Sequence, residues 1–99
     1  MSLYAIHSWD SPDAERLRRE HLAAHLAYAE RIADRIAVGG PLKDGDRFTG
    51  SLMIVHADGE DAARAILEDD PYHRAGVWAR TEIAPFRAAI GTWVGGKTW

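Results

Sequence analysis

Residues 3–34, LYAIHSWDSPDAERLRREHLAAHLAYAERIAD, contain the two elements from which the fold follows. Aromatic and branched side chains dominate Leu3–Trp9, a composition typical of a β-strand. Ser11 stands where a helix N-cap is expected, and Pro12 suits the first helical position. Because no glycine or further proline interrupts the stretch that follows, the sequence predicts one long helix from Pro12 to Asp34.

One face of this predicted helix combines apolar side chains with two histidines. At about 100° per residue, its members are Ala14, Leu17, His21, Ala24, His25, Tyr28, Ala29 and Ile32. The opposite face carries Arg16, Arg19, Glu20, Ala23, Glu30, Arg31 and Asp34. We expect the first face to be buried, with His25 near its middle. Burying an imidazole is costly unless it has a hydrogen-bonding partner, so His25 is the first candidate functional residue.

The remaining segments alternate between strands and helices in a recognisable order. They are a strand at Ile36–Gly39 ended by Gly40-Pro41, a polar loop at Lys43–Gly50 with a turn at Asp44-Gly45, a strand at Ser51–His56, a helix at Glu60–Asp69 broken by Asp70-Pro71, a helical turn at Pro71–Ala75, and a strand at Val77–Ile83 ended by Ala84-Pro85-Phe86. The order βαββαβ is that of the ferredoxin-like α+β fold, with two helices on one face of a four-stranded antiparallel sheet.

Both faces of this sheet are partly apolar. In the first strand Leu3, Ala5 and Trp9 alternate with Tyr4 and Ile6, and in the third Leu52 and Ile54 alternate with Met53 and Val55. A sheet with one face in water alternates more cleanly between apolar and polar residues. Because the helices can cover only one face, we expect the other to meet a second subunit in a homodimer.

Length and composition limit the functional class. The 99 residues, 46% of them hydrophobic, suit one globular domain. A net charge of −3 argues against binding to nucleic acid or to an anionic membrane surface. The absence of cysteine excludes disulfides and thiolate catalysis. No apolar run has membrane-spanning length, and no leader precedes the first strand, so we expect a cytoplasmic protein.

His21 and His25, one helical turn apart, have a spacing that suits two ligands of one metal ion. Leu22 occupies the position of the glutamate in a zinc protease helix, which excludes that class. A third ligand would have to come from His7, His56, Asp69 or Asp70, and the sequence does not bring any of them to this pair. We therefore expect no metal, and the plainer alternative is that both histidines are hydrogen-bonded to the backbone.

Asp70 has two interpretations. It precedes Pro71, as a normal helix N-cap does. It could also hold an imidazole in one tautomer and stabilise its protonated form, as the aspartate of a catalytic triad does. Asp69 is an alternative for that second role. The tryptophans Trp9, Trp78, Trp93 and Trp99 favour packing or a subunit interface over lining a pocket.

Several short segments together resemble a known family. They are Arg18–Tyr28 (RREHLAAHLAY), Gly40-Pro41-Leu42, Gly50-Ser51, Asp70-Pro71-Tyr72 with Ala75-Gly76-Val77, and Pro85-Phe86-Arg87. In order and spacing they are similar to the YciI-like (YCII-related) family. The resemblance covers a domain at residues 1–88 and leaves residues 89–99 as a tail, which either lies over a neighbouring subunit or is disordered.

The resemblance implies a dimeric α+β barrel of ferredoxin-like subunits. It implies a catalytic pair of His25 and Asp70 in a pocket, with Ser51, His21 and Tyr72 as substrate-binding residues. One branch of the family eliminates chloride from a chlorinated hydroxyhydroquinone, and related barrels include lactone isomerases and monooxygenases of aromatic compounds.

Three functions follow as hypotheses. In the leading one, His25 is a general base oriented by Asp70, and backbone N–H groups near Gly50-Ser51 stabilise an oxyanion during elimination or isomerisation of a small cyclic or aromatic substrate. This chemistry requires no metal or organic cofactor. The alternative is a non-catalytic dimer that binds a small molecule in the same pocket. The third is a purely structural dimer, which predicts no pocket near His25.

Overall fold

The computed structural model describes residues 2–98, so Met1 and Trp99 lie outside it. Seven elements form the body of the chain: β1 (Ser2–Asp10), α1 (Ala14–Arg31), β2 (Ile36–Asp44), β3 (Arg47–Ala57), α2 (Glu60–Glu68), α3 (Pro71–Ala75) and β4 (Trp78–Phe86). The four strands form one antiparallel sheet in the order β2-β3-β1-β4. This is the ferredoxin-like topology, so the predicted fold is confirmed.

The core lies between the sheet and the helices. Ile6 in β1 and Val55 in β3 are almost completely buried there, against Ile66 and Leu67 of α2 and Tyr28 of α1. Successive side chains of a strand point to opposite faces. The register pairs Ile6 with Met53 and with Ile83, which places all three on the helix-covered face.

Two prolines predicted to end strands lie within them. β2 continues through Gly40-Pro41 to Asp44, and β4 continues through Pro85 to Phe86. Both are edge strands of the sheet. An edge strand has N–H groups that need no partner in the ladder, so proline is tolerated there. The predicted ends at these prolines are therefore wrong.

The predicted polar loop at Lys43–Gly50 is a hairpin instead. Asp44 pairs directly with Arg47, which leaves Gly45 and Asp46 as a two-residue turn. Gly45 has φ +62°, a conformation that glycine adopts without strain. The turn was located correctly by Asp44-Gly45, but the strands on either side extend much closer to it than expected.

Helix α1 is shorter than predicted at both ends. Ser11 is not its cap, because the Ser11 hydroxyl donates to the Gly76 carbonyl at 2.8 Å and the Ser11 N–H donates to Val77 O at 2.7 Å. These bonds fasten the segment before α1 to the corner between α3 and β4. At the other end a 3-10 turn, Ala33–Arg35, follows Arg31. Ala24, expected on the buried face, is exposed because the helix buries a narrower stripe than the pattern predicts.

The helices leave the other face of the sheet uncovered. It exposes large apolar side chains, namely Val38, Leu52 and Phe86, at 36–44% of their surface. Beside them Trp9 stacks on His7, with ring centroids 3.7 Å apart. The mixed strand pattern thus corresponds to a sheet that is apolar on both sides.

The tail forms a small hairpin of two short strands, β5 (Ile90–Gly91) and β6 (Gly96–Lys97). Trp93 at its tip is 83% exposed. Within residues 2–98, no helix combines the length and the apolar composition needed to cross a bilayer.

Candidate active site

His25 and Asp70 lie in direct contact. The His25 Nδ1 atom is 2.8 Å from Asp70 Oδ1, across 45 residues of sequence. The aspartate side chain is only 5% exposed and the imidazole 24%. A carboxylate can only accept hydrogen bonds, so the imidazole carries its proton on Nδ1 in the neutral form and Nε2 keeps a free lone pair.

Asp70 caps a helix and also contacts the imidazole. It is the N-cap of α3, and its Oδ1 accepts a hydrogen bond from the Tyr72 N–H at 2.9 Å. The same oxygen contacts His25. The cap therefore fixes the position of the carboxylate, and the fixed carboxylate orients the imidazole.

Asp69, the alternative partner, is directed elsewhere. Its side chain is exposed and pairs with Arg74 at 3.1 Å. It is the C-cap residue of α2, whereas Asp70 begins α3. Because the chain turns between the two helices, the two carboxylates point in different directions. The sequence alone could not show which of them contacts His25.

An aromatic side chain supports the imidazole. The rings of His25 and Tyr72 stack with centroids 3.8 Å apart and planes 3° from parallel. The Tyr72 hydroxyl donates to the Arg18 carbonyl at 3.1 Å. Burial raises the pKa of the Tyr72 phenol, Arg18 acts in the opposite direction, and Asp70 adds to the increase. The stacked phenol ring covers one face of the imidazole.

A cavity of about 190 Å³ opens beside this pair. It lies between α1 and the edge of the sheet formed by β2 and β3. Its lining comprises Arg18, His25, Tyr28, Ala29, Ile32, Ile36, Gly39, Gly40, Pro41, Ser51, Met53, Asp70, Tyr72 and Trp78. Most of these side chains are apolar, with a few polar groups, as is usual for a small-molecule site. The hypothesis of a structural dimer predicted no pocket near His25, and that expectation is wrong.

Four of the five predicted site residues lie at this cavity. His25, Asp70, Ser51 and Tyr72 line it. His21 is not among the lining residues, although it lies on α1 between Arg18 and His25, which both are, and it is half-buried. The substrate-binding role that the resemblance implies for His21 stays a prediction.

The backbone donors expected near Gly50-Ser51 are used by the sheet. Both residues lie in β3, between β1 and β2, and pair with both strands. The N–H groups of an interior strand bond to its neighbours. They are therefore not available to bind an oxyanion in the cavity.

Arg18 is the polar lining residue that sequence reasoning missed. It lies seven residues before His25, two turns along the same side of α1, and this spacing is the signal that could have found it. Its guanidinium bonds to both carboxylate oxygens of Asp10, at 2.9 and 3.2 Å. Asp10 ends β1, so the helical pattern of α1 alone does not show this pair.

The i, i+4 histidine pair does not extend to a metal site. Across residues 2–98, no three histidine, aspartate or glutamate side chains are grouped as metal ligands would be. The Nδ1 atom of His25, one of the two imidazole nitrogens that can ligate a metal, contacts Asp70 instead.

Comparisons with known proteins agree with the fold and extend over nearly the whole chain. The family described as the YCII-related domain matches residues 2–87. Protein YciI of Escherichia coli is 33% identical over 94 residues, covering 86% of this chain and 96% of that protein. An uncharacterized protein of Haemophilus influenzae is 30% identical over 93 residues, covering 85% and 95%.

Among solved structures, the chain is similar to an enzyme with a bound ligand. This is the 5-chloro-2-hydroxyhydroquinone dehydrochlorinase of Burkholderia phenoliruptrix in complex with 2,5-dihydroxybenzoquinone. The two are 34% identical with a TM-score of 0.76, over 91% of this chain and 96% of that one.

Proposed function

The chain belongs to the YCII-related domain family, and on that premise we propose that it is a small acid–base enzyme. Its His25 and Asp70 would together eliminate a group from, or isomerise, a small ring compound. The observation that carries the proposal is the 2.8 Å contact between His25 Nδ1 and Asp70 Oδ1 at the wall of a cavity.

The size of the cavity supports a ligand with one ring. A cavity of about 150 Å³ accommodates benzene, and pockets for drug-sized molecules begin at about 300 Å³. The cavity here, at about 190 Å³, lies between these values. A six-membered ring with a few small substituents is therefore the fitting substrate class.

The proposed step begins at His25 Nε2, which has no hydrogen-bond partner within the described residues. This atom removes a proton from a carbon or hydroxyl of the substrate. In an elimination, the electron pair of the broken bond forms a new double bond and expels the leaving group. In an isomerisation, the double bond shifts and the imidazolium returns the proton to another carbon. Asp70 stabilises the imidazolium that results, and a base placed in this way accelerates a reaction about 10²–10⁴-fold.

The ring compound named with the similar dehydrochlorinase provides a starting probe. That enzyme acts on 5-chloro-2-hydroxyhydroquinone. Chloride release from this compound, followed with a chloride electrode, measures elimination by the present protein. We expect His25→Ala to lower kcat/KM about 10²–10⁴-fold and Asp70→Asn to lower it about tenfold or more.

The Asp70→Asn variant tests the catalytic role of the carboxylate without removing the helix cap. Asparagine caps a helix about as well as aspartate, so Asp70→Asn keeps the bond to the Tyr72 N–H and removes the carboxylate. The matched control is Asp69→Asn, which changes the exposed neighbour and should leave the rate unaltered. Activity that survives both His25→Ala and Asp70→Asn would remove the pair from the mechanism, and binding without turnover would support a non-catalytic small-molecule-binding dimer.

The proposal includes a homodimer located in the cytoplasm. The apolar sheet face supports the homodimer, since Leu52 and Phe86 are 42% and 44% exposed in the single chain. The absence of cysteine is in keeping with a cytoplasmic location. No metal or organic cofactor is part of the proposed chemistry.

A further inference from the structure

Arg18 is held rigidly at the cavity by three hydrogen bonds. Its Nε and Nη2 atoms donate to the two oxygens of Asp10, at 3.2 and 2.9 Å. Nη2 also donates to the Gly50 carbonyl at 3.1 Å. The planar guanidinium is thus fixed by β1 and β3, although the residue belongs to α1.

One end of this guanidinium makes no hydrogen bond within the described residues. Across residues 2–98, nothing accepts a hydrogen bond from Arg18 Nη1. The side chain is only 13% exposed and lines the same cavity as His25. Trp78 lines it too, and its buried indole N–H likewise has no acceptor within the described residues. Since buried donors are almost always paired, a ligand oxygen can supply the acceptor that the Trp78 N–H lacks, and Arg18 is a charged donor on the same cavity wall.

The surroundings of Arg18 strengthen its interaction with an anion. The guanidinium carbon is 5.2 Å from the centroid of Phe48 and 5.5 Å from that of Tyr72. These rings replace water near the charge, and electrostatic hydrogen bonds are stronger in such an environment. Arg18 and His25 both contact Tyr72, and both line the cavity.

We propose that Arg18 binds an oxygen substituent of the ligand that carries or develops negative charge. This inference rests on the proposed function and deepens it by naming the ligand class: acidic hydroxy- or oxo-substituted single rings, such as phenols, enols and vinylogous acids. When His25 Nε2 takes a proton from carbon, the C–H electron pair moves through the conjugated carbonyl onto this oxygen. The resulting enolate oxygen then faces the Arg18 Nη1 donor.

The test compares two rings of similar size. 2,5-Dihydroxybenzoquinone is ionised at neutral pH, whereas 1,4-dihydroxybenzene is not, and calorimetric titration of the full chain gives an affinity for each. We expect the wild-type protein to bind the ionised ring about tenfold to a hundredfold more tightly, because hydrogen bonds to charged groups are stronger than those to neutral ones. Arg18→Met should lose most of this preference, and Arg18→Lys should keep part of it.

Loss of Arg18 leaves Asp10 unpaired, so a second variant protects the test against misfolding. Arg18→Met combined with Asp10→Asn removes both charges of the pair and should also lack the preference. Asp10→Asn alone keeps the guanidinium and should keep the preference. The proposal is overturned if the wild type binds neither ring, if it binds both equally, or if the double variant still prefers the ionised one.

Failure of this inference is distinct from failure of the proposed function. Turnover that does not depend on His25 contradicts the acid–base mechanism while an Arg18-dependent preference is still measured. Turnover that depends on His25, with no Arg18-dependent preference, contradicts only the assignment of Arg18.

Discussion

Gly50 shows how a single residue brings the two central strands together. A Cβ at this position would come far closer to the Ser8 carbonyl oxygen than van der Waals contact allows. Gly50 is buried, pairs with Trp9 across β1 and β3, and accepts the Arg18 hydrogen bond. The glycine is needed for close approach, not for turn geometry, since its φ is not positive.

We expect Gly50→Ala to destabilise the protein by about 1–3 kcal/mol, because the backbone of β1 must move to make room. The matched control is Gly40→Ala in the edge strand, where an added Cβ meets nothing within 4 Å. Urea unfolding of both variants provides the comparison. Equal stabilities for the two would contradict the close-approach explanation.

Asp70 shows how a structural residue becomes a candidate functional one. Its Oδ1 serves the N-terminus of α3 and the imidazole of His25 together. The residue type at this position follows from the cap alone, which is why the sequence left the second role open. Its role in catalysis stays a prediction.

At the scale of the elements, Tyr28 connects the two main helices. It lies on α1, one turn beyond His25, and its hydroxyl donates to the Ile66 carbonyl of α2 at 2.6 Å. Burial raises the pKa of Tyr28 above its ordinary value of 10.0, and the nearby charges of Asp69 and Asp70 add to the increase. The folded state therefore holds this proton more tightly than the unfolded chain does.

Stability should consequently depend on pH in the alkaline range. The contribution of the Tyr28 phenol to the free energy of unfolding is fully present below about pH 10. It is lost as pH rises toward the higher pKa of this group in the folded state. We expect Tyr28→Phe to cost about 1 kcal/mol at neutral pH, for one lost hydrogen bond, and to show a shallower decline above pH 10. Urea unfolding at pH 7 to 11 measures both. An unchanged alkaline slope would argue against the burial of this phenol, although Tyr72, whose pKa is also raised, will keep some slope in the variant.

At the scale of the whole molecule, the sheet is covered by helices on one side only. A domain of this size buries a limited fraction of its surface. The exposed Leu52 and Phe86 therefore favour a second copy on the free face, and contiguous apolar patches of this kind mark interaction sites.

We expect Leu52→Asp to convert a dimer into a monomer, because it places a charge at the centre of the apolar face. The control is Leu22→Asp, an equally exposed leucine on α1, 48% accessible and away from that face. Sedimentation velocity or light scattering gives the mass of each. A wild-type monomer, or a dimer disrupted only by the Leu22 variant, would contradict this interface.

Much of this protein was already determined by its local sequence. Period-two and helical patterns fixed the order of the elements, and spaced short segments indicated the family, both of which are confirmed. The position of His25 on the inner side of α1 also follows from helical periodicity. Such features depend on neighbours within a few residues, which the sequence shows directly.

Only the tertiary structure decided how distant segments meet. The contact of His25 with Asp70 spans 45 residues, and that of Arg18 with Gly50 spans 32. The continuation of β2 through Gly40-Pro41 depends on its being an edge strand, a property of sheet order. The different directions of the Asp69 and Asp70 side chains follow from the turn between α2 and α3. These outcomes are set by packing between elements, and no local pattern contains that information.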